Sequence, residues 1–320
     1  MKLSVAICTY NGQAYLQQQL DSLAAQHRQP DELVVGDDSS QDQTLAIIEA
    51  FARRVSFPVK ILPPSSRLGP AQNFSRTIAQ CSGDVILPCD QDDHWKPEKL
   101  ATFEKLFTDQ PDCLLAFSNL SIMQADQTPT GRTFWDDLRF NAREQQIIQT
   151  PQALSVLLKR NVVVGTAMAF RSQLAQAALP IPQGFMHDEW LALIAALMGG
   201  IAILPQSLVD YRLHASQAVG SQTGLRQHWR QARRIMTQEY FARREIRAQA
   251  VADAVSKLGD QVIAPDAASQ IQAYLTHARA ITKMHQAWLW RIPLIPRELL
   301  AGRYHRYDYG LRGVARDLLL

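Results

Sequence analysis

Three carboxylates crowd into four residues at Asp90, Asp92 and Asp93. They follow the apolar run Val85–Cys89 and precede His94, so they stand at the end of a predicted strand. Crowded negative charges repel one another unless a cation lies among them. Clustered carboxylate oxygens suit a hard divalent ion, Mg²⁺ or Mn²⁺, and such an ion suits a substrate that carries phosphates. Taken alone, the same residues also fit a solvated acidic turn.

Two more polar segments follow predicted strands in the same way. Thr9–Gly12 comes directly after the first strand, and Asp37–Ser40 comes after the second. In a parallel sheet the carboxyl ends of the strands meet at one edge, and ligands bind there. We therefore expect these two segments and Asp90–Asp93 to surround one binding site.

The elements that must position these segments alternate between strand and helix. Continuous rather than alternating apolar runs indicate the strands of a parallel sheet that is covered on both faces. The fold class is therefore predicted to be α/β, with a mostly parallel sheet flanked by helices. The predicted strands are Val5–Cys8, Glu32–Gly36, Val59–Leu62 and Asp84–Pro88.

The connecting segments have the periodicity of amphipathic helices. Ser40 is predicted to cap the second helix, the third is predicted over 70–79, and Pro97 is predicted to open the fourth. The residues expected to face the core are Leu16, Leu20 and Leu23 in the first helix, Leu45, Ile48 and Phe51 in the second, and Leu100, Phe103 and Phe107 in the fourth.

The second part of the chain is less regular. Residues 121–150 are polar and weakly periodic, which predicts a surface excursion, and Val162–Val164 predicts a strand. The apolar stretch Trp190–Pro205 contains a glycine pair, which predicts a buried helix, a turn and a buried strand. It is shorter than the roughly 20 residues that span a bilayer. Beyond Gln222 the pattern predicts helices only.

Charge is unevenly distributed along the 320 residues, whose net charge is +3. Residues 225–320 contain 16 Lys and Arg against 8 Asp and Glu, a net charge of +8, and the remainder has a net charge of −5. No nucleic-acid-binding motif accompanies the basic end. The four cysteines are widely spaced, which disfavours a zinc site or a disulfide framework and favours the cytoplasm. The apolar run at the start is too short for a signal peptide.

Six segments, in order along residues 1–220, resemble those of the family 2 glycosyltransferases. They are Ser4–Gly12, Glu32–Thr44, Arg67–Asn73, Gly83–Leu100, His187–Leu193 and Tyr211–His214. The likeness is greatest to bacterial rhamnosyltransferases and surface-polysaccharide transferases. It implies a GT-A, Rossmann-like fold, an inverting reaction on a nucleotide-diphosphate sugar, and Mn²⁺ or Mg²⁺ as cofactor.

The resemblance also implies roles for individual residues. Asp92, in a motif of the DXD type, would hold the metal together with His214. Asp188 matches the base that takes the proton of the acceptor hydroxyl, but Glu189 stands where relatives often have an aromatic residue, so either could be the base. Asp38 would accept a hydrogen bond from the nucleotide base. The nucleotide-binding residues would be Thr9, Tyr10, Asn11, Asp38, Asp84, Asp90 and Arg212, with Arg67 and Asn73 in a bordering loop.

On this resemblance, residues 1–220 form the catalytic domain, with a nucleotide-sugar-binding half over 1–120 and an acceptor half over 121–220. Residues 221–320 would form a helical, basic extension. Rhamnosyltransferases suggest dTDP-rhamnose as the donor. The implied acceptor is a hydroxyl of a surface polysaccharide or of a polyprenyl-linked saccharide, and no nucleic-acid partner is expected.

The end of the chain combines tryptophans and aliphatic residues with arginines. Trp288 and Trp290, next to Arg291 and Arg297, fit a segment that docks on anionic lipid at the inner face of the cytoplasmic membrane. The same residues fit a helical extension that packs on the catalytic domain or on a second subunit. The sequence does not separate these alternatives.

Two other functions are compatible with the same motifs. A nucleotide-sugar or phosphate-ester hydrolase would use the same carboxylates with water as the acceptor. A binding domain without activity would keep the fold, but it would be expected to have lost Asp92 or Asp188, and both are present. Free sugar released at the same rate with and without an acceptor would indicate the hydrolase.

Overall fold

The computed structural model describes residues 1–63, 66–214, 238–259, 263–264 and 266–319, which form two compact units. The first unit comprises Met1–Thr150, Val162–Ala195 and the described part of Gly200–Gln217. The second comprises Pro151–Asn161, Ala196–Gly199 and the described part of Ala218–Leu320. The predicted domain boundary between residues 220 and 221 lies outside the described residues.

One sheet runs through the first unit. Its strands are β1 (Leu3–Thr9), β2 (Glu32–Asp37), β3 (Val59–Ile61), β4 (Val85–Cys89), β5 (His94–Trp95), β6 (Leu115–Gln124), β7 (Pro129–Thr133), β8 (Met168–Arg171) and β9 (Ile201–Leu213). In the described residues these nine strands follow the order β3-β2-β1-β4-β8-β6-β9-β5, and β7 pairs with β6 outside this path.

The first half of the sheet brings the polar segments to one edge. Strands β3, β2, β1 and β4 are parallel, as their apolar runs predict. Thr9 pairs with Asp37, and Ile7 pairs with Cys89, so the segments after β1, β2 and β4 all begin at this edge. The second half is mixed, because β5, β7 and β8 are antiparallel to their neighbours while β6 and β9 are parallel. The predicted α/β fold is confirmed.

Helices cover both faces of this sheet. Those that belong wholly or mainly to the first unit are α1 (Leu16–Ala24), α2 (Thr44–Ala52), α3 (Pro70–Ile78), α4 (Lys99–Asp109), α5 (Phe134–Leu138), α6 (Ala142–Ile147), α8 (Ser172–Ala178) and α9 (His187–Met198). The predicted inward residues of α1 and α4 are buried, which confirms the helical periodicity.

Helix α2 differs from its prediction in two ways. It begins at Thr44 rather than after Ser40, because the Ser40 hydroxyl donates instead to Asp37 at 2.6 Å. Ile48 and Phe51 are buried as expected, but Leu45 is 38% exposed. The later start moves Leu45 to the rim of the helix face that meets the sheet.

One prediction for the second half of the sheet is wrong and another is incomplete. Residues 121–150 are mostly exposed, as a surface excursion would be, but they contain regular elements, since β6 continues to Gln124, turns into β7, and is followed by α5 and α6. Strand β7 lies at the sheet margin and is mostly exposed, so it lacks the apolar pattern of a strand. Val162–Val164 is no strand but extended chain before a 3-10 turn at Gly165–Ala167, because an apolar run reports burial and not ladder pairing.

The second unit is helical in its described part. It contains α7 (Leu154–Leu157), α10 (Gln238–Leu258), α11 (Ala267–Gln286), a 3-10 turn (Trp288–Trp290), α12 (Arg291–Leu300), α13 (Arg303–Tyr307) and α14 (Leu311–Leu319). The helices predicted beyond Gln222 are therefore confirmed from 238 onward, and residues 222–237 lie outside the described part. None of the described helices is long and apolar enough to cross a membrane.

Helix α3 approaches β2 closely at Gly36. A Cβ built on Gly36 would lie 1.9 Å from the Thr77 Oγ1 and 2.8 Å from the Asn73 Oδ1 of that helix. The Asn73 amide donates to the Gly36 carbonyl at 2.6 Å, which fixes the approach. Only glycine leaves room for the helix at this point, next to the edge where Asp37 and Asp38 emerge.

We expect Gly36→Ala to lower the free energy of unfolding by about 1–3 kcal/mol, because the added methyl overpacks a buried contact. Urea denaturation measures this change. Thr77→Ala removes the nearest clashing oxygen, so the double variant should lose less stability than the sum of the two single variants. Strict additivity of the two losses would contradict the close approach.

Candidate active site

The acidic loop lies where the sequence predicts, directly after β4. Burial, together with the negative charges of Asp92 and Asp188, raises the pKa of Asp90 to about 7. Burial, together with the negative charges of Asp92 and Asp90, raises the pKa of Asp93 well above its usual range. The carboxylates therefore repel one another in a site where Asp93 is buried and Asp90 and Asp92 are partly buried. Such a site attracts a cation.

Asp188 belongs to this cluster although it is almost a hundred residues away in sequence. It lies in the first turn of α9 with Glu189, and its Oδ1 accepts from the Glu189 amide at 2.7 Å. Burial and the charges of Asp93, Asp90, Asp92 and Asp188 raise the pKa of the Tyr211 phenol well above its usual range. The Tyr211 phenol on β9 is therefore close enough to interact electrostatically with the acidic loop and with Asp188, the predicted base.

Arg212 braces the acidic loop from β9. Its Nε donates to the Asp92 carbonyl at 2.8 Å, and its two terminal nitrogens donate to the Ala125 carbonyl and to the Gln18 Oε1 at 2.8 and 2.7 Å. Its amide donates to the Asp93 carboxylate at 3.2 Å. The guanidinium also lies over a ring at 4.8 Å, that of Tyr15. A fully buried arginine with these bonds positions the loop, and its contact with a diphosphate stays a prediction.

His214 and Asp92 form the pair expected of the metal ligands. The His214 Nε2 lies 2.8 Å from the Asp92 Oδ2, and the imidazole packs at 4.6 Å from the Tyr15 ring. Within the described ranges, no three His, Cys, Asp or Glu side chains are grouped as a metal site. The two side chains are within hydrogen-bonding distance of each other, and their role as metal ligands stays a prediction.

Lys99 is a buried lysine that the sequence analysis missed. Its Nζ donates to the Thr166 carbonyl and lies 3.1 Å from the centre of the Trp95 ring. Burial lowers the pKa of Lys99, and Asp93 and Asp90 oppose that shift through their charges. The spacing from Lys99 to Phe103 was the available signal, because residues four apart share one helix face.

Gln91 ties the acidic loop to the end of β1. Its Oε1 accepts from the Tyr10 amide at 2.9 Å, and its Nε2 donates to the Tyr10 carbonyl at 3.1 Å. The Arg67 guanidinium stacks 4.0 Å from the Tyr10 ring on the other side of this strand end. Tyr10, Arg67 and the acidic loop thus meet at one edge, as predicted for the nucleotide side.

The remaining residues of this edge bond to each other. The Thr9 hydroxyl donates to Asp37 at 2.7 Å, and the Asn11 amide donates to Ser40 at 2.9 Å. Asn11 has a positive φ of 46°, so the chain turns sharply here. Asp38 accepts from the amides of residues 68 and 69 at 2.6 and 2.9 Å, which holds the loop that carries Arg67.

Two predicted nucleotide-binding residues lie elsewhere. Asn73 is buried in α3 rather than in the bordering loop, and its amide is bonded to Gly36. Asp84 precedes β4 and accepts from the Lys2 amide at 2.7 Å. It therefore lies at the amino end of a five-residue strand, about 17 Å of chain from the acidic loop. The structure does not bring Asp84 together with the other candidates.

His187 supports the first turn of α9 next to Asp188. The ring stacks on Phe74 at 3.8 Å, and burial lowers its pKa to about 3, so the imidazole is neutral. Neither ring nitrogen has a hydrogen-bond partner in the described part of the chain. A Cβ on Gly165 would lie 2.2 Å from the Nε2, so that glycine makes room for the ring. The sequence analysis placed His187 in the family segment His187–Leu193 but gave its ring no role.

Comparison with known proteins identifies the family. The family model described as "Glycosyl transferase family 2" matches residues 4–177, more than half of the chain, and the chain belongs to that family. It is 36% identical over 100 residues to the dTDP-rhamnosyl transferase RfbG of Shigella flexneri, which covers 29% of this chain and 34% of that one. The chain spans only 59% of the length of the uncharacterized mycobacterial proteins that it also matches.

Two solved structures share the fold. The crystal structure of Staphylococcus aureus TarS 1–349 in complex with UDP-GlcNAc has a TM-score of 0.59 at 19% identity, over 86% of this chain and 70% of that one. The mannosyltransferase PcManGT from Pyrobaculum calidifontis, in complex with GDP-Man and Mn²⁺, has a TM-score of 0.52 at 18% identity, over 99% and 84% of the two chains. The predicted GT-A fold is confirmed.

We expect Lys99→Met to lower the free energy of unfolding by about 2–4 kcal/mol, because it leaves the buried Thr166 carbonyl without this donor and removes a basic group near buried carboxylates. Lys105→Met on the same helix removes an exposed lysine that pairs with Asp109 and should change stability by less than about 0.5 kcal/mol. Urea denaturation of both variants is the measurement. Equal losses in the two variants would contradict a supporting role for Lys99.

Proposed function

We propose that this protein is an inverting, metal-dependent glycosyltransferase. It would transfer a sugar from a nucleotide-diphosphate donor to a hydroxyl of a saccharide or polyprenyl-linked saccharide. The observation that carries this proposal is the meeting of the acidic loop with Asp188 around Tyr211, at the ligand-binding edge of a family 2 fold. A single displacement needs a metal ligand beside the leaving diphosphate and a base beside the attacking hydroxyl, and Asp92 and Asp188 would fill these two roles.

The donor side of the proposal rests on the edge formed by β1, β2 and the acidic loop. Tyr10 and Arg67 stack at 4.0 Å and would border the nucleotide base. Asp38 would accept from the base while its bonds to residues 68 and 69 hold it in place. Thr9, Asn11 and Asp90 would line the ribose side. Asp84 and Asn73 have no part in this proposal, since one lies at the far edge and the other supports β2.

The cation proposal rests on Asp92 and His214, whose ligand atoms are 2.8 Å apart. We propose that both bind Mn²⁺ or Mg²⁺, which would neutralise charge that develops on the leaving diphosphate. The carbonyl of Asp92 is held by Arg212, so its carboxylate is presented by a fixed backbone. PcManGT, a protein of the same fold, is known with Mn²⁺, which supports the choice of ion.

The base proposal rests on the first turn of α9. Asp188 would take the proton of the attacking hydroxyl, and the free amides of a helix start favour its ionised form. His187 holds this turn from below by stacking on Phe74, which fixes the direction of the Asp188 backbone. Glu189 is the adjacent alternative, and Asp188 is preferred because it acts on the pKa of Asp90 and Tyr211.

The donor sugar is proposed from relatives of the chain. RfbG is a dTDP-rhamnosyl transferase, which supports dTDP-rhamnose, whereas the TarS structure contains UDP-GlcNAc. A thermal-shift comparison of dTDP-, UDP- and GDP-sugars with Mn²⁺ distinguishes them, because a ligand bound only by the folded state raises its melting temperature. The nucleoside diphosphate of the tightest donor then serves in the first test below, and the donor itself serves in the second.

Asp92→Asn is expected to remove the gain in nucleotide affinity that Mn²⁺ gives, because the amide is a weaker ligand for a hard cation. Titration calorimetry with the nucleoside diphosphate, with and without Mn²⁺, measures this gain. Asp109→Asn removes an exposed carboxylate on α4 and should leave the gain intact. If wild type and Asp92→Asn bound equally well under both conditions, Asp92 would not be the metal ligand.

Asp188→Asn should keep donor affinity but lower turnover by at least about a hundredfold, since the amide cannot take a proton. Glu189→Gln is the matched variant and should keep most of the turnover. The reverse pattern would make Glu189 the base. Release of free sugar at the same rate with and without acceptor would point to a hydrolase and overturn the transferase proposal.

A further inference from the structure

The second unit exposes large apolar side chains at the start of α12. Trp288 is 64% exposed, Leu289 61%, Trp290 49% and Ile292 68%. Four such side chains within five residues form a contiguous surface rather than scattered exposure. Contiguous apolar surface rimmed by polar residues marks a binding surface.

Two further parts of the unit extend this surface. Leu300 is 88% exposed and lies eight residues after Ile292, on the same face of α12. Arg291 donates to the Leu318 carbonyl at 3.4 Å, which brings the end of α14 next to the start of α12, and Leu318 is 58% exposed. We call this surface the apolar patch, defined by Trp288, Leu289, Trp290, Ile292, Leu300 and Leu318.

The helices beneath the apolar patch are firmly held. Ile295 of α12 packs in a core with Phe241, Ile281, Met284 and Tyr304. Glu298 of the same helix is buried and lies 2.9 Å from the buried ring of His277 on α11. The same helix thus buries one face and exposes another, so the patch is a surface of an ordered element and not a frayed end.

Acidic and basic side chains between Ala267 and Leu319 differ in exposure to solvent. Between Ala267 and Leu319 the carboxylates are Glu298, Asp308 and Asp317, which are 1%, 6% and 0% exposed. Each bonds to inward-facing cationic or histidine side chains, such as Arg316 with both aspartates at 2.8 and 2.7 Å. The exposed charges of this stretch are therefore all positive.

Exposed cations accompany the patch directly. Lys283 lies 5.7 Å from the centre of the Trp290 ring, and Arg297 shares the exposed face of α12. Arg306 and Arg312 are also exposed. Ion pairs to carboxylates are absent for these four cations within the described part of the chain. Their charge is available to an anionic partner.

We propose that the apolar patch docks on the surface of a bilayer that contains anionic lipid. Tryptophan and aliphatic side chains enter the headgroup boundary, and lysine and arginine are attracted to anionic headgroups. A second copy of the chain fits less well, because pairing this surface with itself would bring two positive surfaces together. Docking without insertion agrees with the described helices, none of which could span a membrane. This inference goes beyond the proposed transfer reaction and does not rest on it.

Vesicle sedimentation of the full chain tests the proposal. We expect binding to vesicles of phosphatidylcholine with phosphatidylglycerol, weaker binding to phosphatidylcholine alone, and loss of binding as salt rises from about 0.1 to about 1 M. Trp288→Ser with Ile292→Ser should weaken binding at least about tenfold. Ile246→Ser replaces an equally exposed isoleucine on α10, 62% exposed, and should bind as wild type does. All three proteins should share one melting temperature, because the replaced side chains are exposed.

Several outcomes would overturn the proposal. A wild-type chain that ignores anionic vesicles, or that binds both lipid compositions equally, excludes an anionic bilayer as the partner. Equal loss in the patch variant and in Ile246→Ser removes the patch as the site. A wild-type dimer in light scattering that the patch variant converts to a monomer, without vesicle binding by either, identifies a second copy as the occupant.

Discussion

The mutual repulsion of carboxylates at the end of β4 is the constraint on which the rest of the first unit depends. Burial and the charges of neighbouring carboxylates raise the pKa of Asp90 to about 7 and raise that of Asp93 well above its usual range. Such a cluster is stable only if the surrounding structure fixes it. Arg212 from β9 and Lys99 from α4 both lie near it, although one follows the acidic loop by more than a hundred residues and the other by only a few.

Arg212 braces the acidic loop and Lys99 lies near it, and in the described residues neither side chain bonds to the loop carboxylates. Arg212 bonds its guanidinium to backbone carbonyls and to Gln18 rather than to the loop carboxylates. Lys99 bonds to the Thr166 carbonyl and faces the Trp95 ring. The fold therefore fixes the loop backbone while its carboxylates keep their attraction for a cation. A direct salt bridge would have stabilised the loop but removed that attraction.

The features of the fold that follow directly from a local sequence pattern could be predicted. The parallel strands and the edge at which Thr9, Asp37 and Asp90 emerge follow from apolar runs and the rule for parallel sheets. The start of α2 could not be predicted, because the Ser40 hydroxyl was as able to cap a helix as to bond Asp37. The edge strand β7 has no apolar signal at all.

The supporting residues of the candidate site were the hardest to predict. Lys99 and His187 are buried polar side chains that contact Thr166 and Phe74, two residues from distant parts of the chain. Spacing along α4 could place Lys99 on a buried face, but it could not identify Thr166 as a partner. Asp84 shows the opposite error, since a motif neighbour of the acidic loop is separated from it by the length of β4. Two residues that are close in sequence lie far apart in space when an extended strand separates them.

The two bonds between Gln91 and Tyr10 determine which residue the second position of the acidic loop can carry. One bond needs an acceptor and the other a donor, so the side chain must end in a carboxamide. A glutamate of the same length would lose the donor and add a fourth negative charge to the loop. A shorter asparagine would not reach the end of β1 with both groups. Hydrolysis of this one amide, a slow chemical ageing reaction, would therefore be enough to loosen the loop from the sheet.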